Sequence, residues 1–71
     1  MDNEKIGKLI SELRNKKGLT QQDLADLTGL SREYICDIEN ESRKKHPTVA
    51  VLGRIAEALN KTLSDLFIDN N

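Results

Sequence analysis

The chain has 71 residues, with 11 Lys and Arg against 12 Asp and Glu, a formal net charge of −1 and a single cysteine. This length allows one domain with a modest core, and the lone cysteine excludes an intrachain disulfide, which favours a reducing, cytoplasmic setting. No apolar run approaches membrane-spanning length, the first residues lack the apolar core of a signal peptide, and the net charge lacks the positive excess of many nucleic-acid-binding domains.

The first predicted helix covers residues 4–16. Asn3 can cap its start, and Gly18 follows a cationic last turn, where a left-handed residue commonly ends a helix. Apolar residues recur at i, i+3, i+4 and i+7, which places one stripe on one helical face: Ile6, Leu9, Ile10 and Leu13.

Two short helices are predicted next, joined by a tight turn. Thr20 reads as the N-cap of the second helix, and its hydroxyl is expected to accept from the backbone N–H of Asp23. Gly29 supplies the positive φ of the turn, and Ser31 caps a third helix over Arg32–Glu39.

Beyond a polar loop, Thr48 is predicted to cap a fourth helix and Thr62 a short fifth one. The apolar positions of these two helices are Leu52, Ile55, Ala56, Leu59, Leu63, Leu66 and Phe67. The sequence therefore predicts an all-α fold, a compact five-helix bundle, with residues 1–71 forming a single domain.

The net charge conceals an uneven distribution. Residues 4–17 contain five cations against two carboxylates, and residues 43–46 read Arg-Lys-Lys-His, whereas residues 57–69 contain three carboxylates against one cation. A polarised molecule of this kind can present a basic surface despite its acidic total.

Residues 19–40, LTQQDLADLTGLSREYICDIEN, resemble the helix-turn-helix of the Cro/CI repressor-like family of transcriptional regulators. The flanking segments IGKLISELRNKKG and PTVAVLGRIAEALNKTLSDLF are similar to that family's first helix and to its fourth and fifth helices. The resemblance implies a lambda repressor-like DNA-binding domain with its helix-turn-helix at 20–39, and a third helix that enters the major groove of double-stranded DNA.

The resemblance also implies roles for individual residues. Arg32, Glu33 and Asp37 fall at base-reading positions, and the alternative for them is a solvated helix face. The remaining expected DNA contacts are Thr20, Gln21, Ser31, Tyr34, Arg43, Lys44 and Lys45. Gln21 is expected to contact a phosphate, whereas Tyr34 either meets a phosphate or packs over the loop at 41–45.

Structural roles are implied for two further sets of residues. Arg14 and Glu39 resemble a family pair that forms a partly buried ion bridge between the first and third helices. A homodimer interface is expected at the fifth helix, because its residues offer more apolar surface than so small a core needs: Leu63, Leu66, Phe67 and Ile68. Gly7 and Gly53 stand inside predicted helices, where close approach of another helix would explain them.

No catalytic constellation is present, so no enzymatic activity is expected. Cys36 has no resolving partner and His46 no companion ligands, so neither a redox switch, a metal site nor a cofactor is expected. The predicted function is sequence-specific DNA binding to a palindromic operator, as a homodimeric repressor without a small-molecule effector. The alternative is a protein-interaction module, antitoxin-like or anti-regulatory, because the third helix is acidic.

Overall fold

The computed structural model of the chain describes residues 3–40 and 47–67. Its regular structure consists of five helices: α1 (Asn3–Lys16), α2 (Gln21–Thr28), α3 (Arg32–Glu39), α4 (Val49–Ala58) and α5 (Leu63–Phe67). No strand occurs in these two ranges, and the predicted all-α class is confirmed. α1 begins at Asn3, so Asn3 is the first helical residue and not the N-cap that was expected. A difference of one residue is common at the ends of helices.

Four predicted N-caps are confirmed by hydrogen bonds. The third backbone N–H that follows each cap donates to the hydroxyl oxygen of Thr20, Ser31, Thr48 and Thr62, at 2.9, 3.0, 3.1 and 3.2 Å. In α2 the bond is reciprocated, because the Asp23 carboxylate accepts from the Thr20 backbone N–H at 2.9 Å. Each cap satisfies a donor that the helix leaves unpaired and thereby sets where the helix begins.

The five helices enclose one apolar core. Its members come from every helix: Ile6, Ile10, Leu24, Ala25, Ile35, Ile38, Leu52, Ile55, Ala56, Leu59 and Leu66. α1 packs on α3 and α5, while α2 packs on α3 and α4, and α4 also packs on α5. α3 is thus supported from two sides, by α1 and α2.

The two helical glycines differ in their surroundings. A Cβ atom on Gly7 would overlap the carbonyl oxygen of Ile38, so α1 and α3 approach each other closely at this point and the expectation is confirmed there. Around Gly53 nothing lies within 4 Å of such a Cβ, so close helix approach is wrong as an explanation for this residue.

Among the helices of the described ranges, none is both long and apolar enough to cross a membrane.

Candidate nucleic-acid interface

The turn between α2 and α3 is built by local chemistry. Gly29 adopts a left-handed conformation with φ 77°, which a side chain would strain. Thr28 is buried, and its hydroxyl donates to the Leu24 carbonyl oxygen at 2.8 Å and accepts from the Leu30 backbone N–H at 3.3 Å. The buried hydroxyl of Thr28 is therefore paired where the chain turns into α3.

The two faces of α3 have separate roles. Ile35 and Ile38 are buried, whereas Arg32 and Glu33 are exposed. Four side chains on the outer face line one open depression: Arg32, Glu33, Cys36 and Asp37. The inner face anchors the helix in the core, and the outer face is open to a ligand.

The expected base-reading residues Arg32, Glu33 and Asp37 thus lie together on one surface. Tyr34 is half-buried and packs against the core. Ser31 is exposed at the start of the same helix, where its hydroxyl oxygen accepts from the Tyr34 backbone N–H.

The amide of Gln21 has a partner within the protein. Its Nε2 donates to Oε1 of Glu39 at 3.1 Å, so the start of α2 is tied to the end of α3. Gln21 is half-buried and Thr20 beside it is exposed. Spacing along the chain did not indicate this bond, which depends on how the two helices cross.

Arg14 and Glu39 form a two-pronged ion pair between α1 and α3. Arg14 Nε and Nη2 donate to Glu39 Oε2 and Oε1 at 2.8 and 3.0 Å, and the side chains are only 11% and 7% exposed. Nη1 also donates to the Leu19 carbonyl oxygen at 2.7 Å, just before α2. The bond to Glu39 raises the pKa of Arg14 above its ordinary value. Removing one partner of such a buried pair costs about 3–5 kcal/mol, because the other charge is left uncompensated.

The charge of α3 is unusual for a surface that is expected to meet DNA. Its eight residues contain one cation, Arg32, and three carboxylates, of which Glu39 is neutralised by Arg14. The expected cationic contacts Arg43, Lys44 and Lys45 lie outside the described residues. The outer face of α3 therefore carries little positive charge of its own.

Arg54 was not among the expected site residues. It is exposed on α4, and its Nη1 would lie 3.9 Å from a Cβ built on Gly29, so a cation stands beside the turn of the helix-turn-helix. The periodicity of α4 places Arg54 outside the apolar stripe, so its exposure could be predicted from the sequence. Its proximity to the turn could not, because that proximity follows from the packing of α2 on α4.

The residues expected at the dimer interface are not equally accessible. Leu66 is 2% exposed and belongs to the core of its own chain, so burial removes it from any contact with a partner. Leu63 is half-buried, Phe67 is 36% exposed, and Ile68 lies outside the described residues. The apolar surface of α5 is therefore centred on Phe67.

In the part of the chain that the structure describes, no group of three or more His, Cys, Asp or Glu side chains is arranged to hold a metal ion. Cys36 is a half-buried free thiol on α3.

Comparisons with known proteins agree with this geometry. The family model for the helix-turn-helix matches residues 10–66. The chain is 39% identical over 66 residues to the ImmF control region 10 kDa protein of Bacillus phage phi105, covering 93% of this chain and 71% of that protein. It is 36% identical over 63 residues to the competence pilus inhibition repressor of Acinetobacter baylyi, covering 89% of this chain but 56% of that longer protein.

A solved structure extends the likeness to a complex with DNA. The master regulator for biofilm formation SinR, crystallised in complex with DNA, superposes with a TM-score of 0.80 at 26% identity, covering 87% of this chain and 97% of that one. The shared fold, the matched family model and the named relatives lead to one conclusion. The chain belongs to the Cro/CI-type helix-turn-helix family, whose members are DNA-binding transcriptional regulators rather than enzymes.

Proposed function

We propose that this chain is a sequence-specific repressor that binds a palindromic operator as a homodimer. The observation that carries the proposal is the division of α3, whose buried isoleucines hold the helix while Arg32, Glu33 and Asp37 line its open outer face. An α-helix fits the major groove of B-DNA, where every base pair presents a distinct pattern of donors and acceptors.

The base-reading roles follow from the chemistry of the three side chains. The guanidinium of Arg32 donates to the O6 and N7 atoms of guanine, and the carboxylates of Glu33 and Asp37 accept from the N4 amino group of cytosine. A carboxylate near phosphates is repelled unless it finds such a donor. The acidic outer face therefore lowers affinity for random DNA and leaves matched base pairs to decide binding.

Phosphate contacts are assigned to the helix starts and to the basic loop. Thr20, Gln21 and Ser31 stand at helix N-termini, where free N–H groups and the helix dipole favour an anion. Tyr34 contributes its hydroxyl to the contacts with DNA phosphates, and the loop contributes its three cations, Arg43, Lys44 and Lys45. These groups supply affinity, whereas α3 supplies selectivity.

Two further considerations support a dimeric repressor. One recognition helix covers only a few base pairs, so pairing two copies is how such a module gains specificity, with half-sites about 34 Å apart. The Acinetobacter relative is itself named a repressor. Phe67 and the exposed part of Leu63 on α5 form the proposed contact between the two copies.

Selection of bound sequences from a random duplex pool tests the proposal. We expect a palindromic consensus with guanine at the position that Arg32 reads. Arg32→Ala should weaken binding to that consensus by about 1–3 kcal/mol and relax the preference at that position. Lys16→Ala, which removes an exposed cation at the end of α1, is the matched control and should retain the same consensus. Failure to recover any consensus would contradict sequence-specific binding.

The acidic face of α3 also favours a second candidate, a protein-interaction module with little affinity for DNA. A salt titration with random duplex separates the two functions. A DNA-binding surface loses affinity steeply as salt rises, because each phosphate contact releases counterions. The absence of binding to any duplex at low salt would instead support the interaction module.

A further inference from the structure

The carboxylate of Glu39 connects three elements rather than two. It accepts from Nε and Nη2 of Arg14 at 2.8 and 3.0 Å, and Oε1 also accepts from Nε2 of Gln21 at 3.1 Å. Arg14 belongs to α1, Glu39 to the end of α3 and Gln21 to the first turn of α2. An ion pair between α1 and α3 needs only the first two residues, so the third bond requires a separate explanation.

The bond determines which way the Gln21 amide points. An amide has a nitrogen with two N–H donors and an oxygen that only accepts, and an ionised carboxylate can only accept. Glu39 therefore holds the nitrogen of Gln21 on its own side and uses one of its two N–H groups. The second N–H and the amide oxygen remain for other partners.

Arg14 makes this arrangement compatible with a nearby phosphate. An uncompensated carboxylate at this place would repel an anion bound at the start of α2. The guanidinium neutralises Glu39 through two hydrogen bonds and is itself held by the Leu19 carbonyl oxygen at 2.7 Å. The amide is thus oriented by a carboxylate whose charge is already balanced.

We propose that Glu39 is a positioning residue for DNA binding, which fixes the Gln21 amide before DNA arrives so that its free N–H meets a phosphate. The inference rests on the proposed function. A glutamine side chain that is ordered in the free protein loses less rotamer freedom on binding than a mobile one, and this preorganisation strengthens the complex without adding a contact.

A double-mutant cycle on the full chain tests the coupling, with operator affinity measured per folded molecule. Gln21→Ala should weaken binding about tenfold, the factor that a hydrogen bond to a charged group is worth. Glu39→Gln should reproduce a large part of that loss. The double variant should bind no more weakly than Gln21→Ala alone, because Glu39 acts through Gln21.

Gln22→Ala is the matched control. Its Nε2 also donates to a carboxylate, Oδ1 of Asp26, at 2.9 Å, but both groups are exposed on α2 and away from Glu39. This variant should retain full operator affinity.

A measurement on the unaltered chain covers the case in which Glu39→Gln fails to fold. The side-chain amide of Gln21 should show restricted motion by ¹⁵N relaxation in the absence of DNA, whereas the exposed amide of Asn60 should be mobile. A mobile Gln21 amide in the free protein would overturn the inference, as would independent losses that multiply in the double variant. If the unaltered chain binds no duplex, the proposed function and this inference both fail; if it binds its operator and only the coupling is absent, this inference alone fails.

Discussion

At the scale of single residues, replacing each of the two helical glycines by alanine should change the free energy of unfolding in opposite directions. Gly53→Ala should raise the free energy of unfolding by about 0.5–1 kcal/mol, because alanine is the better helix former and the added Cβ meets nothing within 4 Å. Gly7→Ala should lower it by about 1–3 kcal/mol, because its Cβ would overlap the Ile38 carbonyl oxygen. Urea denaturation of both variants measures the difference. Equal stabilities would show that α1 moves away from α3 without cost.

The glycine pair also shows where prediction from sequence ends. Both residues stand inside predicted helices, and sequence offers the same explanation for both. Whether another helix lies against them depends on the angle at which helices cross, which no local pattern specifies. The bond from Gln21 to Glu39 escaped prediction for the same reason.

At the scale of helices, local chemistry made the boundaries predictable. Thr20, Ser31 and Thr48 bond to the third backbone N–H that follows, so a hydroxyl residue ahead of an apolar stripe was sufficient to locate each start. Gly29 was equally readable, because a tight turn requires a positive φ that few other residues adopt. The Thr-x-x-Asp spacing also indicates the reciprocal bond at the start of α2, in which the Asp23 carboxylate accepts from the Thr20 backbone N–H.

The start of α5 gives a pH-dependent prediction. The Asp65 carboxylate accepts from the Thr62 backbone N–H at 2.8 Å, and this bond, followed by the one with the Thr62 side chain, lowers the pKa of Asp65. Since the folded state favours the ionised carboxylate, the cap stabilises the protein at neutral pH and is lost as pH falls through the lowered pKa.

Thermal denaturation of the unaltered chain and of Asp65→Asn should therefore differ at neutral pH and converge in acid. A difference in melting temperature that persists unchanged at acidic pH would mean that the carboxylate charge does not stabilise the cap.

At the scale of the whole molecule, the exposed apolar side chains bear on assembly. Leu27, Val49 and Phe67 are the large hydrophobic residues that stand out on the described surface, with 60%, 62% and 36% exposure. Exposure alone would favour Leu27 and Val49 as the dimer contact. Phe67 is chosen because Leu63, four residues earlier on α5, lies on the same side of that helix and is also partly exposed.

Phe67→Asp should convert the proposed dimer to a monomer in sedimentation velocity and weaken operator binding with it. Leu27→Asp is the control: it adds the same charge at a more exposed leucine on α2, and the dimer should persist. Dissociation by Leu27→Asp and not by Phe67→Asp would move the interface from α5 to α2.

The division of α3 has a consequence for how regulators of this type diversify. Arg32 and Glu33 are exposed, whereas Ile35 and Ile38 are buried, with 0% and 7% exposure. Changes at the two outer positions therefore leave the packing volume of the bundle untouched. Under the proposed function, a new operator preference can therefore arise by substitution there without a compensating change in the core. The two outer residues are then the positions to exchange when the specificity is redesigned.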